Sequence, residues 1–317
     1  MPLIRIRRRT LLSLLFLFAI GFASAEELPA PKPKDAKTDL SAKRASQFVR
    51  LVKDADGKPT AMETAIVSLA KKDGSENVTV DLIGAVHVGE KAYYDALNKA
   101  FADYDVVLYE LVAPAGTRIA KGQKTSNRHL TGAMQNGMKG VLELEHQLES
   151  IDYTQENMVH ADMSPDEFSK SMTDRGESFM GMMFKMMGQG LAQQSRQQAK
   201  GQNFEWDTFG ALFAKDRAIV LKRIMAQQFE DLETSMAAFN GKDGSTIITE
   251  RNNVALKKLS EELQAGKKRI AIFYGAGHMP HMEERLIADF GLQRNSERWL
   301  SAWDLADPVE STATKEP

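Results

Sequence analysis

At 317 residues, 43% of them hydrophobic and 26% charged, the chain is long enough to bury one large core or two small ones. A formal charge of −2, with both signs interspersed along the chain, argues against a nucleic-acid partner, which calls for a basic face. The lack of cysteine excludes disulfides, cysteine metal sites, a cysteine nucleophile and a lipid-modified cysteine.

Arg5, Arg7, Arg8 and Arg9 precede an apolar run from Leu11 to Phe22 that ends in Ala23-Ser24-Ala25. This is the pattern of a signal peptide, residues 1–25, cleaved after Ala25. The run is shorter than the ~20 residues of a spanning helix, so no stable membrane span is expected after cleavage; an uncleaved anchor is the alternative. Removing it takes away four arginines and no acid, leaving a more negative protein, periplasmic or secreted. Residues 26–44 are rich in proline and lysine and read as a flexible spacer.

The folded unit is expected over 45–305. Thr64 to Leu69 and Val78 to Ile83 read as two strands of a hairpin around a Lys-Lys-Asp-Gly-Ser turn region. Gly89 to Tyr104 has helical spacing, with Tyr93, Leu97, Ala100, Phe101 and Tyr104 on one side. Asp105 to Leu108 is a short buried strand, and the order strand, helix, strand predicts a parallel pair with a right-handed crossover. Residues 113–245 read as a helical insertion. Ser164-Pro165-Asp166-Glu167 is a capping box that starts one helix, and Asp207 to Phe239 carries another helical stripe. Within this insertion the methionine-rich run Phe179 to Gly188 reads as a packed core helix, or alternatively as a lid or peptide-contacting face, with thioethers as soft metal ligands a third option. A helix over Thr246 to Gln264, a strand over Arg269 to Tyr274, a helix beginning near Pro280 and a closing strand near Trp299 to Trp303 follow. Residues 306–317 form a polar, disordered tail.

The phrases Gly84-Ala85-Val86-His87 and Gly275-Ala276-Gly277-His278 each follow an apolar strand and precede a helix. Bare G-x-x-H tetrads have little specificity, but the repeated context puts both histidines beyond the carboxyl ends of strands, where α/β sheets hold their ligands. Glycine at a strand exit lets the backbone turn sharply and approach a ligand closely. Glu110 arrives at the same edge after the strand Asp105 to Leu108. Such a set can hold a divalent metal and its water; equally, one histidine can act as a general base without metal. Taken singly, each histidine is more often a satisfied hydrogen-bonding group. Arg251 lies on the apolar stripe of its helix with Ile248, Ala255, Leu259 and Leu263. An inward arginine needs an anionic partner, and Glu110 is one candidate; a role in stabilising an oxyanion is another, and the alternative is a partly exposed arginine that lays its stem along apolar surface. Asp162 reads either as a carboxylate supporting the site or as a capping group, and His281 as a helix-start or rim residue.

These motifs, with Glu250-Arg251-Asn252 and the phrases Gln147 to Tyr153 and His160 to Met163, make the chain resemble the TraB/GumN family over residues 60–303. That family is related to the TIKI proteins and more distantly to erythromycin esterases and ChaN-like proteins. The resemblance implies a hydrolytic site centred on His87, Glu110 and His278, with Arg251 assisting and Gly84, Gly275, Gly277, Asn252 and Asp162 in support. TIKI-like relatives imply a metallopeptidase, supported by manganese or cobalt, in which His87, His278 and Glu110 hold the metal, with zinc as a further candidate ion; esterase-like relatives imply a metal-free histidine base. The family's first motif commonly reads Gly-Thr-x-His, and Ala85 here removes the threonine hydroxyl. A peptide or small acyl compound is the implied substrate, and a haem-binding or sequestering protein is the non-enzymatic alternative. The fold expected throughout is α/β: a mixed central sheet, two related strand-loop-helix halves and the helical insertion.

Overall fold

The computed structural model describes residues 48–71, 77–123, 142, 144–178, 181, 217–227 and 244–307. These lie in one compact unit, Asp39–Pro317. The expected signal peptide and spacer, the methionine-rich run apart from Gly181, most of the 207–239 stripe and the tail beyond 307 lie outside the described residues.

The architecture is α/β around a mixed sheet. Its strands are β1 (Val49–Lys53), β2 (Pro59–Lys71), β3 (Thr79–Ala85), β5 (Val106–Tyr109), β7 (Met158–His160), β8 (Arg269–Gly275) and β9 (Leu292–Asp304). A separate two-stranded ladder joins β4 (Val88–Gly89) to β6 (Glu145–His146). The main order is β1-β2-β3-β8-β5-β7, with β9 pairing β2. Strands β1, β3 and β9 all run antiparallel to β2, whereas β3, β8, β5 and β7 are mutually parallel.

Two sequence expectations change here. Strands β3 and β5 are parallel but not neighbours, because β8 inserts between them. The reason is burial: Ile270, Ala271, Ile272, Phe273 and Tyr274 are fully buried, and a continuous apolar run is best satisfied when neighbours cover both edges and both faces. The expected helical insertion also supplies β7, an outer strand of the same sheet. Its three residues are too few for hydropathy patterning to reveal, so pairing with Val107, Leu108 and Tyr109 decides their conformation.

The longer helices beside the sheet are α1 (Lys91–Phe101), α2 (Pro165–Asp174), α3 (Arg251–Gln264) and α4 (Met279–Phe290); Gln147–Ser150 form a single helical turn, and residues 217–227 are also helical. Helix α1 buries Tyr93, Tyr94, Leu97 and Phe101, the i, i+4, i+8 stripe of an amphipathic helix, and Phe101 meets Phe273 edge-on at 4.9 Å. The Ser164 capping box opens α2: its hydroxyl accepts from Glu167 N–H at 3.2 Å while the Glu167 carboxylate accepts from Ser164 N–H at 2.8 Å. Helix α4 ends at Gly291 in the left-handed conformation (φ 64°), which glycine adopts without steric cost. Among the described residues no helix is long and apolar enough to cross a membrane.

The two strand-loop-helix units, β3 to α1 and β8 to α4, lie side by side, with Ala85 paired to Gly275. The parallel set therefore presents four adjacent carboxyl ends at one edge.

Candidate active site

Each of those four strands is followed within three residues by a polar side chain: His87 after β3, His278 after β8, Glu110 after β5 and Asp162 after β7. Strand order alone places them in one row. Helix α3 brings Arg251 to the same row with its first residue.

The β3 exit is anchored from α1. Tyr94 donates to the Val86 carbonyl at 2.9 Å and Tyr93 to the Gly84 carbonyl at 3.2 Å, while Gln147 N–H donates to the His87 carbonyl at 3.0 Å. The His87 ring itself is exposed.

Arg251 is the hub. Its Nε donates to Asp162 Oδ1 at 3.0 Å and its Nη2 to Asp162 Oδ2 at 2.6 Å, a side-on bidentate pair. Nη2 also donates to Glu110 Oε1 at 2.6 Å, and Nη1 stands 3.4 Å from His278 Nε2. The other Glu110 oxygen, Oε2, accepts from Gly275 N–H at 2.6 Å. Burial by itself would raise the Glu110 pKa. The charges of Arg251, His278 and His87 and the Gly275 N–H overcome it and hold the carboxyl well below the usual carboxylate range. Burial likewise opposes the Arg251 cation, but Glu110 and Asp162 outweigh it and keep the guanidinium protonated.

His278 is buried, and burial, only partly offset by Glu110, pushes its pKa down to about 4. The imidazole is therefore neutral near pH 7, and its neighbours select the tautomer. Asn252 Nδ2 donates to the His278 carbonyl at 3.0 Å, which turns Asn252 Oδ1 toward His278 Nδ1 at 2.6 Å. An amide oxygen only accepts, so the proton sits on Nδ1. Nε2 then carries its lone pair toward Arg251 Nη1, with Glu110 Oε1 at 3.6 Å. Tyr274 packs edge-on against the ring at 5.3 Å and donates to the Ala161 carbonyl; burial raises its pKa, so it stays a neutral donor.

The structure thus joins Glu110, Arg251, His278, Asn252, Asp162 and Gly275 in one hydrogen-bonded cluster. His87 is coupled to Glu110 and His278 by charge. Asp162 is neither a cap nor solvated; it is buried as the bidentate partner of Arg251. His281 lies at the rim, its Nδ1 accepting from Asn252 Nδ2 at 3.0 Å. The expected sharp glycine turns are absent, since neither Gly84 nor Gly275 has positive φ, and Gly277 sits in a 3-10 turn, Ala276–His278. What Gly275 provides is closeness: a Cβ there would stand 3.3 Å from Glu110 Oε2. Nothing in the sequence marks Tyr274 as a site residue, because it continues the apolar run of its strand. Asn252 was readable as more than a motif member, since it shares its buried stripe with Ala255, Leu256 and Leu259.

As arranged, these residues do not fit a divalent ion. Both Glu110 oxygens already accept hydrogen bonds, and a cation between Glu110 and His278 would stand beside the Arg251 guanidinium, a like charge. Among the described residues no group of three or more His, Cys, Asp or Glu is disposed to hold a metal.

No protein-family model, no curated protein and no solved structure matches the chain.

Proposed function

We propose that this chain is an extracytoplasmic hydrolase similar to TraB/GumN proteins, in which neutral His278 is the general base for attack of water on an acyl carbon of a peptide or small ester. The observation that carries this reading is the Asn252 bond to His278 Nδ1, which leaves the Nε2 lone pair facing the polar cluster. A proton taken up at Nε2 is stabilised by Glu110, 3.6 Å away, as a carboxylate beside a forming imidazolium, and is returned to the departing amine or alkoxide as the acyl C–N or C–O bond breaks. Arg251 Nη1 stands 3.4 Å from His278 Nε2 and is engaged by neither carboxylate; its second N–H is the one proposed to donate to an oxyanion. The arginine-rich, apolar N-terminus ending in Ala23-Ser24-Ala25 supports an address in the periplasm or outside the cell.

The test is hydrolysis of a panel of peptides and acyl esters by purified protein after chelation, and by the His278→Gln variant. Activity that survives chelation and disappears in the variant supports the histidine-base reading. Activity regained only with manganese, cobalt or zinc would replace it with the metallopeptidase reading, which requires Arg251 to release Glu110. A haem absorption band with no turnover of any substrate would make the chain a binding protein.

A further inference from the structure

The segment that delivers Arg251 is not an ordinary helix start. Thr246–Glu250 form a π turn, closed by Glu250 N–H donating to the Ser245 carbonyl at 3.0 Å. A π turn is rare and weaker than an α turn. It carries one more residue per hydrogen-bonded ring, so relaxing it to α geometry would rotate Arg251 by about 100° around the helix axis. Such a rotation would carry the guanidinium off the Glu110 and Asp162 face.

What holds the turn is the far end of α2. Glu177 accepts from Thr246 N–H at 3.1 Å through one oxygen and 3.3 Å through the other. Arg175 donates through Nε to Glu177 at 2.9 Å, through Nη1 to Glu250 at 3.1 Å and through Nη2 to the Gly244 carbonyl at 2.7 Å. Ser171 and Thr246 share a hydroxyl hydrogen bond at 2.9 Å. Asp162, the bidentate partner of Arg251, lies two residues before the α2 N-cap, Ser164. The segments flanking α2 therefore grip both ends: Asp162, before its N-cap, holds the Arg251 guanidinium, and Arg175 and Glu177, at and beyond its C-cap, hold the backbone turn from which that side chain springs.

We infer that Arg175 and Glu177 are positioning residues that keep Thr246–Glu250 in its π register and so aim Arg251 at Glu110 and Asp162. The inference rests on the preceding reading only for the part Arg251 plays in hydrolysis; the geometric claim stands without it. Arg175 and Glu177 bond to the turn itself, at Thr246 N–H, Glu250 and the Gly244 carbonyl. Their effect passes through the turn.

The test is hydrogen exchange at the Arg251 Nε–H, followed by nuclear magnetic resonance in the full chain near pH 6.5, where no substrate is needed. In the unaltered protein this hydrogen is protected by Asp162. In Arg175→Ala and in Glu177→Ala its exchange is expected to accelerate by about tenfold or more, while Leu69→Ala, which loosens the sheet instead, leaves it unchanged. Unaltered protection in both strut variants, or equal acceleration in Leu69→Ala, would overturn the inference. If the alanine variants do not fold, Glu177→Gln and Arg175→Lys decide by the same signal. A protein with no hydrolytic activity still yields this result, so failure of the strut and failure of the hydrolase reading stay separable.

Discussion

Asn252 and His278 are bound twice over: the Asn252 amide donates to the His278 carbonyl at 3.0 Å and accepts from its ring Nδ1 at 2.6 Å. One fully buried side chain thereby fixes both the backbone position of the 3-10 turn and the proton position on the imidazole. Replacing Asn252 by leucine removes both constraints at similar volume. Hydrolysis is expected to fall by about 10- to 100-fold, the usual cost of losing a histidine's orienting partner. Nitrogen chemical shifts of His278 should show a mixed tautomer; a single Nδ1–H tautomer in the variant would refute the assignment.

Arg251 compensates two buried carboxylates. Arg251→Leu leaves Glu110 and Asp162 without their cation, and breaking a buried pair from one side costs about 3–5 kcal/mol. Urea denaturation should show this loss, and removing Asp162 as well (Arg251→Leu with Asp162→Leu) should restore part of it. Strict additivity of the two changes would mean that the pair is not coupled.

The pH dependence of stability follows from His278 and Glu110 in separate windows. The folded His278 pKa of about 4 lies below its ordinary 6.5. Between these values the unfolded chain binds a proton that the folded chain refuses, so stability falls as the pH drops from 6.5 to 4. The full difference is on the order of 3 kcal/mol and is complete below pH 4. The folded Glu110 pKa is depressed from 4.5, so its contribution is intact above pH 4.5 and erodes as the pH falls below that value. Urea midpoints measured from pH 8 to 3 should show His278→Gln flattening the upper window and narrowing the lower one, because the variant also loses the imidazolium charge that helps to depress the Glu110 pKa. A parallel slope in variant and parent would contradict the buried neutral histidine.

The two motif glycines should respond differently to a methyl group. At Gly84 an added Cβ meets Ala276 and the Ala65 carbonyl at 3.5 Å, an ordinary contact; at Gly275 it meets Glu110 Oε2 at 3.3 Å. Gly84→Ala is expected to change stability by less than about 1 kcal/mol. Gly275→Ala should push Glu110 away from His278 and lower hydrolysis by about tenfold, since small displacements of positioned groups are costly. Equal activity in the two variants would remove Gly275 from the site.

Much of this was legible from residue order. Apolar runs bounded by polar residues marked β3, β5 and β8, and the i, i+3, i+4 stripes marked α1 and α3, because periodicity records which face is buried. Strand β1 was missed, and β9 (Leu292–Asp304) was seen only as its last stretch, since exposed residues such as Ser296 and Glu297 carry no hydropathy signal and are extended by pairing with β2. The capping box of Ser164 and Glu167 was readable because a cap is local chemistry. Likewise, His87, Glu110 and His278 could each be assigned to a strand end from the residues immediately around them.

Local sequence thus determined which side chains stand at strand ends, since burial periodicity and turn chemistry act over a few residues. Only the tertiary structure decided which of them meet. The insertion of β8 between β3 and β5, and the recruitment of Met158–His160 as β7, depend on pairing between residues more than a hundred positions apart or on strands too short to declare themselves. That pairing puts Asp162 beside Arg251 and Asn252 beneath His278. The proton position on the imidazole, and with it the chemistry proposed for the site, is set by neighbours that chain order does not reveal.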